Sequence, residues 1–313
     1  MSSRTDRPNI FAGPYLDRRS ELRDREEWLA RAGRDPHARF VPVWQSRNLF
    51  VRGDAPGAVL LTSDHVVVQS ASPENVVFLG LYHEQACFLV ELEGEQPPDI
   101  DPEGEFRELR FFGALLPQDE AGLLAYARAL TLWRQRHRYC GVCGSPTRAA
   151  RAGHVLVCSN ATCRSEQFPR IDPAIIVLVT DGERVLLGRQ ASWPAGRYST
   201  IAGFVEPGES LEDAVAREVQ EETGVTVSDI RYHSSQPWPF PSSIMLGFTA
   251  RAPGSDIVRT DQELEDARWF SRADIASGFP AMPSIQSISF RLIEDWYDNG
   301  SDQPLRVTPG VRL

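Results

Sequence analysis

Arg217, Glu218, Glu221 and Glu222 crowd into six consecutive positions, spaced like ligands on one side of a helix. Residues four apart on a helix lie one turn above each other, which stacks Glu218 on Glu222 and Arg217 on Glu221. Stacked carboxylates repel unless a cation lies between them, and hard divalent ions such as Mg²⁺ prefer oxygen ligands. Taken alone, EVQEE reads first as a solvated acidic helix surface. The surrounding residues decide for a positioned helix. Ser210 and Asp213 make a capping-box-like start, Leu211, Val215 and Val219 recur every four residues, and Gly224 stands where helices end in a left-handed residue.

A second chemical cluster is sulfur. Two residues separate Cys140 from Cys143 and four separate Cys158 from Cys163, and all four fall within 24 residues. Two close thiolate pairs suit tetrahedral structural zinc with no position open to a substrate. Gly141 and Gly144 allow a tight first knuckle. The longer second spacing leaves unmetallated thiols or a redox pair as alternatives, and His137 and His154 flank the cluster as substitute ligands. Cys87, within ACFLVEL, reads as a buried strand residue.

The 313 residues suffice for two or three domains, and 42% hydrophobic with 24% charged content is ordinary for a globular protein. A net charge of −10 disfavours non-specific duplex DNA binding. All 33 basic residues are arginine, which excludes a Walker-type phosphate loop and a Schiff-base lysine. The longest apolar run, Ala174 to Val179, is too short to cross a bilayer. MSSRTDRPNI has no apolar core after its charges, so the expectation is a cytoplasmic protein without disulfides.

Three domains are expected. Residues 1–136 read as an α+β domain, with a helix at 20–31, strands near 40–44, 58–62, 66–69, 76–82 and 86–92, a Pro-rich loop at 96–102 and a helix at 116–136. No catalytic constellation appears there, and His83-Glu84 lacks the second histidine of a zinc-protease helix. Residues 137–168 form the ribbon. Residues 169–313 carry a fully apolar, hence interior, strand after FPRIDP, then strands at 184–189, 199–205, 225–234, 244–251 and 266–271, the acidic helix, and a helix at 284–297. This order fits an α/β/α sandwich with a mixed sheet. No internal repeat is visible.

The acidic helix belongs to a longer pattern. Gly203, Glu209, Arg217-Glu218-Val219, Glu221-Glu222 and Gly224-Val225 follow the spacing G-x5-E-x7-R-E-apolar-x-E-E-x-G-apolar, which resembles the Nudix box without a departure. Ten residues after it comes Ser235-Gln-Pro-Trp-Pro-Phe-Pro241, whose alternate prolines predict a stiff, extended segment presenting Gln236, Trp238 and Phe240. On composition alone the segment reads first as a Pro-aromatic packing loop. With the box, the ribbon and FPRIDP, it resembles the NADH pyrophosphatase (NudC-type) branch of the Nudix hydrolases over roughly residues 137–296.

That resemblance implies metal-dependent hydrolysis of NAD(H) to AMP and nicotinamide mononucleotide by two or three Mg²⁺ or Mn²⁺ ions, with one structural Zn²⁺. It implies metal ligation by Glu218, Glu221, Glu222, the distant Glu263 of Asp261-Gln-Glu and the Ala202 carbonyl, with Arg217 placing the carboxylates. Substrate contacts are expected from Phe168, Phe204, Gln236, Pro237, Trp238, Pro239, Phe240, Pro241, Ser242, Ser243 and Ser289. Cys140, Cys143, Cys158 and Cys163 are the implied zinc ligands. The spacing of the second cysteine pair departs from the family's usual two residues, and Phe168 stands where a Tyr is common. A homodimer is implied as well. With no G-x-G-x-x-G present, NAD(H) is expected as a substrate cut, not a hydride carrier. Two alternatives share these residues: removal of NAD caps from RNA, guided by Arg134, Arg136, Arg138, Arg148 and Arg151, and a non-catalytic NAD sensor.

Overall fold

The apolar run Ala174–Val179 fills the middle of the strand Asp172–Thr180, which lies inside a sheet as its lack of a polar side requires. The computed structural model describes residues 7–53, 56–98, 100, 104–252, 256–258 and 263–312. They form two compact units. One comprises the chain up to Ile10, Asp172–Pro237 and the chain from Ser243 onward; the other comprises Phe11–Ile171 and Trp238–Ser242.

In the second unit the elements run β1 (Leu16–Asp17), α1 (Glu26–Ala32), β2 (Arg39–Trp44), β3 (Arg47–Val51), α2 (Val66–Ser70), β4 (Val76–Tyr82), β5 (Gln85–Leu92), β6 (Gly104–Arg107), α3 (Leu109–Phe112) and α4 (Gln118–Arg136). The ribbon adds β7 (Thr147–Ala150), β8 (Val155–Cys158) and β9 (Glu166–Gln167). In the first unit follow β10 (Asp172–Thr180), β11 (Arg184–Arg189), β12 (Ile201–Phe204), α5 (Leu211–Thr223), β13 (Ser228–Trp238), β14 (Ser243–Arg251), β15 (Asp266–Ser271), α6 (Arg272–Ala276) and α7 (Ile288–Asp298).

Alternation along β10 builds the sandwich. Ile175, Val177 and Val179 pack with Ala214, Val215 and Val219 of α5, while Ile176 and Leu178 pack with Ile288, Phe290, Leu292 and Ile293 of α7. Each such fully buried aliphatic contributes about 1.5–3 kcal/mol relative to exposure. Burial on both sheet faces therefore fixes α5, and with it the acidic residues, against the central strand.

The sheet orders reveal a repeat that the sequence hides. In the first unit the order is β13-β14-β10-β11-β15, with β12 also on β10; in the second it is β4-β5-β2-β3-β6 with β1 at one edge. In both, the middle strand pairs parallel with its predecessor in the list and antiparallel with its successor, which pairs antiparallel with the last strand. Side chains differ throughout, so no residue pattern betrays it. The 13-residue α5, which enters between β12 and β13, has only the five-residue α2 as its counterpart between β3 and β4. The second unit thus has the sheet without the acidic helix.

Local corrections have local causes. Residues 66–69, expected as a strand, are the helix α2, because the His65 ring accepts the Val67 N–H at 3.2 Å and caps it while Val67 and Val68 pack on the core. The helix expected at 20–31 divides into a 3₁₀ turn at Ser20–Leu22 and α1. Residues 58–62 join the sheet only through bridges at Ala58 and Leu61. Within the loop expected at 96–102, residues 99, 101 and 102 lie outside the described residues.

His154 is not a metal ligand. It is buried, and its Nε2–H donates to the Phe78 carbonyl at 2.7 Å. Burial holds its pKa down to about 4, against 6.5 when exposed. The folded unit therefore binds fewer protons than the unfolded chain across that window. Its contribution is complete above the unfolded value and is lost as pH falls toward 4, amounting to about 3 kcal/mol. Urea unfolding from neutral pH to pH ~4.5 should show a steeper loss in the wild type than in His154→Gln. Parallel curves would remove His154 as the cause.

Candidate active site

Ser210 and Asp213 close a reciprocal capping box at the start of α5, and Gly224 ends it at φ 72°, as the sequence predicts. On this helix Glu218 and Glu222 are 9% and 3% exposed, whereas Glu221 faces solvent. Burial raises the pKa of Glu218, opposed by Arg217, and the negative charges of Glu221 and Glu263 raise it further. Glu263 is thereby electrostatically close to Glu218, although Asp261 and Gln262 before it lie outside the described residues.

Arg217 organises the box more completely than its i, i+4 spacing suggests. Its Nη1 donates to Glu218 at 2.9 Å and Glu221 at 3.0 Å, its Nη2 to the Phe204 carbonyl and Glu209 at 2.9 Å each, and its Nε to Glu209 at 2.5 Å. All five guanidinium N–H donors are used. Glu209 also accepts the Glu206 N–H at 2.9 Å, and the Arg217 side-chain bond, the largest cause, holds its pKa down to about 2. The role of Glu209 was missing from the sequence reading; the x7 spacing to Arg217 was its only signal.

Gly203 has a spatial reason. A Cβ there would lie 1.9 Å from the Glu218 carboxyl carbon and about as close to both its oxygens. Gly203→Ala should therefore displace Glu218 and lower kcat by about a hundredfold with little loss of fold. Steady-state kinetics beside circular dichroism will show it; wild-type kcat would mean that the Glu218 position is unimportant.

These hard oxygen donors fit a divalent cation: several carboxylates share one arginine, and a buried one is already disfavoured as an anion by its neighbours. The Ala202 carbonyl lies on β12, opposite Ile176 of β10. Ser289 is buried, and its hydroxyl accepts the Thr200 N–H at 3.1 Å and joins Ser199 and Thr200 hydroxyls at 2.8 and 2.9 Å. It ties α7 to the residues leading into β12.

Gln236 is likewise engaged within the protein. It is 1% exposed; its amide donates to the Gln286 carbonyl at 2.7 Å and the Ile10 carbonyl at 3.3 Å, and accepts the Ile288 N–H at 2.8 Å. The amide caps the start of α7 and is not presented outward. Nor does the segment stay extended. β13 ends at Trp238, the Phe240 N–H turns back to the Trp238 carbonyl at 2.8 Å, and the Phe240–Pro241 peptide is cis. Pro237 belongs to the first unit, Trp238 to Ser242 to the second, and Ser243 opens β14. Phe204 and Phe168, in different units, are 59% and 58% exposed.

The four cysteine sulfurs lie within 4.8 Å of one another, with 3.9 Å between Cys140 and Cys163 and 3.4 Å between Cys143 and Cys158. A tetrahedral zinc–thiolate shell has S···S distances of about 3.8 Å. The longer second spacing is looped out. Cys158 N–H donates to the Ser165 carbonyl at 2.9 Å just as Cys140 N–H donates to Ser145 at 2.8 Å, and Asn160 pins the extra residues through Thr162 and Cys163. The left-handed residue after each pair is Gly144 in one knuckle and Arg164 in the other. The Ser165 hydroxyl, first among causes, pulls the Cys140 thiol down to about 6, which favours the ligand form. The His137 ring is turned to the Trp133 carbonyl at 2.8 Å, so neither flanking histidine replaces a thiol. In the arginine patch, Arg134 is buried beside Glu91 and bonded to the Glu74 and Gly153 carbonyls; Arg136, Arg138, Arg148 and Arg151 remain exposed.

Comparison with known proteins agrees with this geometry. Family models match as a NUDIX domain at residues 170–291, an NADH pyrophosphatase-like rudimentary NUDIX domain at 37–133 and an NADH pyrophosphatase zinc ribbon at 135–168. The rudimentary domain is the repeated sheet described above. The NAD-capped RNA hydrolase NudC of Stutzerimonas stutzeri is 43% identical over 74% of this chain and 81% of its own. The human NAD-capped RNA hydrolase NUDT12 is 33% identical over 97% of this chain and 74% of its own. With a complete acidic box on α5, a four-thiol ribbon and this degree of identity, the chain belongs to the Nudix hydrolases, in their NADH pyrophosphatase (NudC-type) branch.

Proposed function

We propose that the protein hydrolyses the diphosphate of NAD(H), giving AMP and nicotinamide mononucleotide, with Mg²⁺ or Mn²⁺ as cofactor and one structural Zn²⁺. The observation that carries this is the complete Nudix box, whose acidic residues converge on α5 within a chain that also bears the NADH pyrophosphatase ribbon.

In this reading Glu218, Glu222 and Glu263 ligate the cations, the Ala202 carbonyl completes the shell, and exposed Glu221 either joins it or accepts the proton of the attacking water. When bound there, the ions would supply charge neutralisation of the diphosphate and acidify that water. Arg217 touches no substrate; with every donor engaged inside the box, it positions Glu218 and Glu221 and braces Glu209. Water attacks one phosphorus in line, the P–O bond of the bridging oxygen breaks, and each mononucleotide leaves with one phosphate. By family resemblance, Phe168, Phe204, Trp238, Phe240 and the rest of the Pro237 to Ser243 stretch are assigned to the planar parts of the substrate. Cytoplasmic location and homodimeric assembly belong to the same proposal on family resemblance; among the described residues no helix is long and apolar enough to cross a membrane.

Removal of NAD caps from RNA is a second reading, since the relatives are NAD-capped RNA hydrolases and the same bond and residues would serve it. A sensor is disfavoured because no acidic position of the box is missing. Initial rates on NADH, NAD⁺, ADP-ribose and NAD-capped RNA, measured in parallel with Mg²⁺ or Mn²⁺, separate them. Preference for free NADH supports the first reading, far faster cleavage of capped RNA makes decapping the principal activity, and no cleavage of any refutes both.

A further inference from the structure

Arg128 of α4 is 9% exposed; the charge of Glu108 acts on it, but among the described residues no ion pair of 4.0 Å or less includes it. Its Nη1 donates instead to the Pro239 carbonyl, its guanidinium carbon lies 4.8 Å over the Phe240 ring, and its Nε is buried without an acceptor. Desolvation, the largest influence, lowers its pKa. A buried cation left without an anionic partner is costly, and an apolar side chain of similar length would pack there without that cost. Stability of the unit does not account for this arginine; what it holds does.

It holds the turn that carries the two aromatic rings. Trp238 and Phe240 meet edge to face at 5.2 Å, and Phe11 closes on both, at 6.4 and 5.8 Å. Arg110 lies 6.0 Å over the Trp238 ring. β13 has ended at Trp238, and Pro237, Pro239 and Pro241 have no N–H to donate. The segment therefore has few ladder bonds of its own, and its conformation is set by side chains from outside it.

We propose that Arg128 is a positioning residue for substrate recognition, fixing the Trp238–Phe240 pair in the orientation that receives a planar ring of the dinucleotide. This rests on the NAD(H) reading above. The clamp joins one peptide carbonyl and one ring through a single planar cation, a geometry that lysine reproduces only in part. Because Arg128 engages the Pro239 carbonyl and the Phe240 ring, its loss should weaken binding and spare the chemical step.

The test is steady-state kinetics on NADH with Arg128→Met, Arg128→Lys, Phe240→Leu and the Arg128→Met/Phe240→Leu double variant. Arg128→Met should raise KM about tenfold with kcat within about twofold, and Arg128→Lys should fall between it and the wild type. In the double variant, Arg128→Met should add little to Phe240→Leu, since both break the same clamp. A KM unchanged in whichever Arg128 variant folds, a loss confined to kcat, or fully multiplicative effects in the double variant would overturn the proposal alone. Failure of the wild type itself to hydrolyse NADH would overturn the function reading and this inference with it.

Discussion

Glu222→Gln is expected to lower kcat for NADH by about three orders of magnitude while leaving secondary structure and unfolding midpoint close to the wild type. The change is isosteric, so the packing of α5 through Ala214, Val215 and Val219 is undisturbed. What disappears is a negative charge on a side chain only 3% exposed, one turn beyond Glu218 on the same helix. An amide oxygen is a far poorer partner for a hard dication than a carboxylate, and low local dielectric enlarges the difference. Mg²⁺ and Mn²⁺ titrations of the variant should show weakened activation as well as lowered maximal rate. Retention of kcat within tenfold would remove Glu222 from the metal site and leave the box without its central pair.

Replacing one thiol of the ribbon should have the largest effect on stability. Cys158→Ser leaves three sulfurs, and zinc content measured by atomic emission should fall from about one per chain toward zero. The ribbon has few other means of folding: its buried apolar residues are little more than Val155, Leu156, Cys140 and Cys158. Zinc ligation supplies about 10 kcal/mol of folding energy in small domains of this kind. The consequences should spread through the unit. Gly153 is packed so closely on Val77 that a Cβ would meet it at 2.6 Å, His154 bonds Phe78, and Arg134 bonds the Gly153 carbonyl. Limited proteolysis should therefore cut first in the ribbon, and the unfolding midpoint should fall by about 10 °C or more. Unchanged stability with zinc absent would mean that the thiols alone hold the ribbon.

Legibility in the sequence followed the range of the interactions involved. The α5 helix, its cap, its left-handed end and the pairing of Arg217 with Glu221 are set within four residues of each other, and each was readable from spacing. The central position of β10 was equally plain, since six consecutive apolar residues leave no face for water. Long-range partners were not readable. Nothing local in Gln236 announces that its amide caps a helix fifty residues later, and Ser289 looks like any small polar residue until Thr200 is placed beside it. The strand-like Val66-Val67-Val68 became helix because His65 capped it and the core accepted its valines, a tertiary decision over local propensity. The repeated sheet was invisible for the same reason: pairing order survives where side chains do not.

The central claim is that these residues break the diphosphate of NADH, and product chromatography tests it most directly. Wild type and Glu222→Gln should be incubated with NADH and Mg²⁺ or Mn²⁺ under identical conditions. The account predicts AMP and reduced nicotinamide mononucleotide in equal amounts from the wild type and next to none from the variant. Intact NADH after prolonged reaction with folded, zinc-loaded wild type, release of nicotinamide by glycosidic cleavage, or equal product from both proteins would contradict it.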